Sequence, residues 1–316
     1  MSYTGPDFEP TPPRRRRRPL TVAVAALVPG ALLGWLVYET TGGTGGSGED
    51  PGARRAAASS PAAPSGPGSP SGSPDRGDEK PSPSSSPSAA STSPLQGKVV
   101  VIDPGHNPAN FRHPSEINSK VDIGTARKEC DTTGTSTNGG YTEAEFTLDV
   151  AHRLRTLLQQ QGATVKLTHD ADRPFGPCID ERARIGNQAR ADAVVSIHAD
   201  GSGTGNRGFH VILPASVHQG AADTRPIVAS SRDLGERIAG NFVRATGSAP
   251  SNYVGDGTGL VTREDLGGLN LSTVPKVFIE CGNMRDSKDA AQLTSDSWRQ
   301  KAARGISEGI VGFLRG

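Results

Sequence analysis

Five short apolar runs, near 98–102, 163–168, 193–197, 208–213 and 275–280, alternate with longer stretches in which apolar side chains return every three or four positions. Those longer stretches, 143–161, 178–191, 226–246 and 296–315, have helical periodicity. The last is the plainest, with Trp298, Ala302, Ile306 and Ile310 recurring on one face. Short apolar runs between such helices read as buried strands, and their alternation predicts an α/β domain: a mostly parallel twisted sheet flanked by helices on both faces. Residues 96–316 then form a single domain of about 220 residues, a size one hydrophobic core supports.

Leu20 to Tyr38 is an apolar run of another kind, nineteen residues without a charge, preceded by the basic run Arg14 to Arg18. Its length approaches the ~20 residues of a bilayer-crossing helix, and flanking arginines keep the amino terminus in the cytoplasm. The expectation is a cytoplasmic tail at 1–19, a single-pass transmembrane anchor at 20–38 and an extracellular remainder facing the cell wall. A cleaved signal peptide is the rival reading, but the run is long for one and no clean Ala-x-Ala site follows it. From 39 to 95 the composition falls to Gly, Pro, Ser and Ala, which buries too little apolar surface to offset its ordering entropy. That segment reads as a disordered linker, with a reach on the order of 150 Å at ~3.1 Å per residue.

The linker dilutes the whole-chain figures, so the 33% hydrophobic content understates the folded part. A net charge of +1 decides nothing about partners. No basic, aromatic-interleaved run lies beyond the arginines before the anchor, which argues against nucleic acid. There is no internal repeat, and the domain is expected to be a monomer.

Candidate chemistry gathers where apolar runs stop. Val100 to Ile102 leads through Asp103-Pro104-Gly105 to His106; Val194 to Ile197 ends in His198; Val277 to Ile279 ends in Glu280. In an open α/β sheet the carboxyl ends of strands form the ligand crevice, so these side chains can converge although 92 positions separate the two histidines. Ahead of the helix at 143–161, Thr142 and Glu145 have capping-box spacing, which leaves Glu143 free in the first helical turn. Two imidazoles and one carboxylate, His106, Glu143 and His198, are the donor set that holds catalytic zinc and leaves a fourth position for water. Glu280 supplies a further acid able to take a proton from that water and return it to a leaving amine. The reaction class is amide hydrolysis.

The blocks Val101 to His106, Glu143 to Ala151, Ser196 to Asp200 and Pro275 to Gly282 resemble the signature blocks of the zinc-dependent N-acetylmuramoyl-L-alanine amidases, with a look closest to small actinobacterial members. The resemblance implies Zn2+ on His106, Glu143 and His198, Glu280 as the catalytic glutamate, and peptidoglycan as substrate, cut between the lactyl group of N-acetylmuramic acid and L-alanine. Two other functions stay open: a peptidoglycan-binding or regulatory module without turnover, and a zinc peptidase acting on stem peptides. The chain departs from the family pattern in the thirty-six residues between His106 and Glu143, in His169 where an arginine is usual, and in Cys281 after the glutamate.

Three cysteines leave one unpaired. Cys130 and Cys178 have Gly- and Pro-flanked, loop-like surroundings whereas Cys281 continues a buried strand, which predicts a disulfide between Cys130 and Cys178. Arg182 follows an acidic pair on a helix. It reads either as part of a solvated face or as a tie to Glu280 or to a substrate carboxylate. His210, on a strand near the site, is a candidate for facing substrate; His113, His152, His169 and His218 read as ordinary surface or sheet residues.

Overall fold

The structure, a computed structural model, describes residues 93–316. The expected tail, the anchor at 20–38 and nearly all of the linker lie outside the described residues. Among the described residues no helix is long and apolar enough to cross a membrane.

Strand β1 (Val99–Pro104) leads through a short helix α1 (Pro114–Ile117) and a ribbon of β2 (Lys120–Asp122) and β3 (Arg127–Glu129) to helix α2 (Glu143–Gln160). Then come β4 (Thr164–Leu167), α3 (Ile179–Gln188), β5 (Ala193–Asp200) and β6 (His210–Pro214). A second small ribbon, β7 (His218–Gln219) with β8 (Ala222–Asp223), precedes α4 (Val228–Thr246). The remainder is β9 (Leu260–Arg263), α5 (Gly267–Asn270), β10 (Lys276–Asn283), α6 (Ser287–Leu293) and α7 (Asp296–Arg315).

The main sheet has the order β4-β1-β5-β10-β6-β9. Four of its pairings are parallel; β10 and β6 run antiparallel. Alternation along each strand divides the sheet into two faces. Val100, Ile102, Val195, Ile197, Val277 and Ile279 point to the large core with α2, α4 and α7, where Phe146, Phe242 and Trp298 pack. Val101 and Val194 point the other way, against Ile185 of α3. Helices on both faces are what a parallel sheet requires to keep water from its backbone.

Gly305 and Gly309 let α7 lie close against α4: a Cβ on Gly305 would come within 2.8 Å of Phe242 Cα. One boundary shifts from the expectation. Leu95, assigned to the linker by composition, is fully buried in the core, and its amide donates to Gln161 O. A single leucine among Ser and Pro gives no periodic signal, so its burial could not be seen in the pattern.

Candidate active site

Three elements deliver the metal-type donors. β1 pairs with β5 as far as Pro104 and Ile197, and Gly105 N continues the pairing to Ile197 O at 2.9 Å. The chain then turns at His106, whose φ of 62° is in the left-handed region. Such a conformation in a residue with a Cβ costs on the order of 1–3 kcal/mol and persists only where surrounding contacts hold it. Here the contacts are identifiable. His106 O accepts from Arg182 Nη2 at 3.0 Å, and its ring Nδ1 lies 3.1 Å from Thr132 O. With Nδ1 turned to a backbone carbonyl, Nε2 is the nitrogen left for a ligand.

Glu143 is the first residue of α2. Thr142 caps the helix, its side chain accepting from Glu145 N while Glu145 reaches back to Thr142 N at 3.0 Å. The cap aims Glu143 inward. Its Oε1 lies 3.1 Å from His106 Nε2 and 3.0 Å from His198 Nδ1, and Oε2 accepts from Thr135 N at 3.0 Å. Donor atoms of His106, Glu143 and His198 all lie within 4.8 Å of one another. His198, from β5, stacks on Phe278 with ring centroids 5.2 Å apart. Gly134 completes the enclosure: a Cβ there would sit 2.7 Å from His106 Cδ2 and 2.8 Å from Glu143 Oε2.

Burial disfavours charge on His106, but Glu143 and Asp131 outweigh it and raise the imidazole pKa to about 10. Burial likewise opposes charge on Glu143, and His106 with His198 holds it below the ordinary carboxylate range. Each group thus favours the opposite charge on its neighbour, as in a buried ion pair of His106 with Glu143 and Asp131. Two neutral-capable imidazoles and one carboxylate, mutually within bridging reach, fit a tetrahedral divalent ion with one open position.

Glu280 stands on β10 directly beside His198 in the parallel register. Its side chain is partly accessible, and Oε2 is buried without a hydrogen-bond partner. Burial first, then the carboxylates of Glu143 and Asp200, push its pKa well above the ordinary value. A carboxyl poised to carry a proton is the outcome. Two hollows adjoin the centre. One of 260 Å³ is lined by His198, Phe278, Ile179 and Leu266; the other, 440 Å³, by Phe111, Thr133, Gly134 and Thr142. A larger hollow of 600 Å³, lined by α7 with Leu157 of α2 and Arg237 of α4, shares no residue with the centre.

Arg182 departs from both readings given to it. It is neither a solvated residue nor a partner of Glu280 or of substrate. Buried at 5% exposure, it donates to Asp103 Oδ1 at 2.8 Å, to Asp131 Oδ2 at 2.9 Å, and to the carbonyls of Pro177, Pro104 and His106. Arg232 does not reach Glu280 either and pairs with Glu236 on the surface. Asp103 also accepts from Thr168, Ser196 and Lys276 Nζ, the last at 3.2 Å. A buried ionic layer thus underlies the donors.

His169 is buried rather than superficial, its Nε2 3.1 Å from Pro104 O. A disulfide joins Cys130 to Cys178, and Cys281 is free and buried. Sequence reasoning missed Asp103, Asp131 and Lys276. Asp103 and Lys276 each carry the signal of a charge inside an apolar strand run, which demands a partner.

A family profile described as N-acetylmuramoyl-L-alanine amidase matches residues 100–311. The chain is 40% identical over 230 residues to the N-acetylmuramoyl-L-alanine amidase Rv3717 of Mycobacterium tuberculosis, covering 72% of this chain and 91% of that one. Among solved structures, Ami1 of Mycobacterium smegmatis, an N-acetylmuramyl-L-alanine amidase, superposes with a TM-score of 0.63 at 38% identity, over 70% of this chain and 98% of that chain. Apo Ami1 of Mycobacterium abscessus gives 0.63 at 40% identity, over 70% and 100%.

Proposed function

The chain belongs to the N-acetylmuramoyl-L-alanine amidase family, and from that premise we propose that it hydrolyses the amide between the lactyl group of N-acetylmuramic acid and L-alanine in peptidoglycan, with Zn2+ as its cofactor. The observation that carries the reading is the convergence of His106, Glu143 and His198 from three elements beside Glu280. A divalent cation in that donor set supplies Lewis acidity, polarising a carbonyl and making a water acidic near neutral pH.

The chain's own residues do the rest. Glu280 accepts the proton as water attacks the carbonyl and delivers it to the departing alanine nitrogen, so that the amine leaves neutral. Thr142 and Thr135 hold Glu143 in register with the imidazoles. The two hollows adjoining the centre leave room for substrate beside it.

Glu280→Gln keeps the shape and removes the proton carrier. Peptide release from muropeptides should fall by about 10²–10⁴, with metal content unchanged. Parental turnover by this variant would refute the assignment. Mass spectrometry of parental products separates the open alternatives. Free lactyl carboxylate with amino-terminal L-alanine marks the amidase, cleavage within the stem marks a peptidase, and no product marks a binding module. We also place the domain outside the cell as a monomer, held by residues 20–38. Protease accessibility on intact cells and sedimentation of the protein test those two points.

A further inference from the structure

Among the described residues six buried side-chain polar atoms have no partner, and two of them belong to residues that face each other across one strand pair. They are Nδ1 of His210 and Oε2 of Glu280. In the antiparallel register β6–β10, Glu280 is opposite His210, while Ile279 is opposite Val211. Val211 and Ile279 point into the large core, so His210 and Glu280 leave the sheet together on the other face. Directly opposed residues have Cβ atoms about 4.5–5.5 Å apart. Since Glu280 is also level with His198, β5, β10 and β6 present His198, Glu280 and His210 in one row.

The surroundings confine the His210 ring. It is 6% exposed and makes an edge contact with Tyr253, ring centroids 5.9 Å apart, while Tyr253 donates its hydroxyl to Asp200 Oδ2 at 2.6 Å. The charged groups that act on it are Asp200 and Arg263. Burial dominates and holds the imidazole down at about 4, so the ring is neutral and carries one N–H. The two atoms do not bond each other in the structure, but a neutral ring beside a carboxylate satisfies both by a small side-chain rotation that lets the ring N–H donate to the carboxyl oxygen.

We propose that His210 is a positioning residue: its Nδ1–H donates to Glu280 Oε2, fixing the carboxyl so that Oε1 is the oxygen presented to water and leaving amine. The inference rests on Glu280 as proton carrier and adds the residue that orients it. A floating carboxyl would reach the reacting atoms only in a fraction of its rotamers, and misplacement of about 1 Å is enough to cost up to a hundredfold in rate.

Two measurements test it. In protein labelled with 15N-histidine, the His210 resonance, identified by its loss in His210→Asn, should report the Nδ1–H tautomer and shift in Glu280→Gln. An Nε2–H tautomer, or indifference to Glu280→Gln, overturns the proposal. Because this readout needs neither metal nor turnover, it stays separate from any failure of the amidase assignment, which parental activity reports. In kinetics, His210→Leu should lower kcat about ten- to a hundredfold with KM unchanged, and His210→Asn, which keeps a donor, should stay within about threefold of the parent. Equal rates for His210→Leu and parent, or equal losses for both variants, overturn it. If His210→Leu does not fold, the tautomer and the asparagine variant still decide.

Discussion

Arg182→Met removes the guanidinium at the centre of the buried ionic layer while keeping much of the side chain's length. Five hydrogen bonds disappear with it, to Asp103, Asp131 and the carbonyls of Pro177, Pro104 and His106. Asp103 retains Lys276 at 3.2 Å. Asp131, 5% exposed, keeps the Thr132 amide at 2.8 Å, but its remaining cationic partner is the His106 ring, 3.6 Å away. Breaking a buried pair so that one charge is uncompensated costs about 3–5 kcal/mol. For a domain of this size each kcal/mol shifts the melting midpoint by about 2–4 °C, so the fall should be roughly 6–20 °C.

The loss should also reach the site. Freeing the His106 carbonyl and loosening Asp131 withdraws two restraints on one donor, which should weaken metal binding about 10- to 100-fold. The pH dependence has a definite sign. Burial alone raises both carboxyls, but Lys276 and Arg182 at Asp103, and Arg182 with His106 at Asp131, hold them well below the ordinary range. Their contribution is complete above the unfolded value of about 3.9 and is lost as pH falls through the folded values. In the variant Asp131 loses its main cation and protonates at higher pH. The gap in stability between parent and variant should therefore be widest near neutral pH and narrow on acidification. Urea unfolding across pH 3–8 and metal titration measure both effects. A variant that melts within about 2 °C of the parent, or a gap that widens on acidification, refutes the reasoning.

Gly134→Ala places a methyl group 2.7 Å from the His106 ring at a φ of 72°. Metal affinity should fall at least about tenfold while the core melts within a few degrees of the parent; isothermal titration showing parental affinity would contradict this. The Cys130–Cys178 bridge closes a span of 48 residues, for which the chain-entropy model gives roughly 4 kcal/mol. Cys130 directly precedes the segment Asp131 to Thr135 that contacts His106 and Glu143. Reductant, or paired substitution to alanine, should weaken metal binding before the core unfolds, and unchanged metal affinity and activity in reductant would count against it.

The main strands were legible as short continuous apolar runs, because β1, β5 and β6 are buried along nearly their whole length, and the helices by a repeat of about 3.6 along α2 or α7. Five strand runs and four helices fall where these patterns put them, within a few residues. β9, with only Leu260 and Val261 apolar, and α6, seven residues long, are too short for a repeat to register. Capping at Thr142 was readable for the same local reason, since Glu145 is one turn away. The ionic layer was not. Arg182 meets Asp103 across 79 positions and Lys276 meets Asp103 across 173, and no local spacing separates such a pairing from a solvated charge. His210 was visible as a strand residue near the site, yet its placement opposite Glu280 depends on β6 being the strand that reverses direction.

That β10 lies between β5 and β6 has a consequence for biogenesis. Both neighbours are synthesised more than sixty residues before it. A nascent chain that has emerged only as far as β9 therefore holds His106, Glu143 and His198 but leaves an unfilled slot in the sheet, with two naked edges available to wrong partners. The glutamate arrives with the strand that closes this slot, so hydrolytic competence coincides with completion of the sheet, and truncations short of residue 283 should yield aggregation-prone, inert protein.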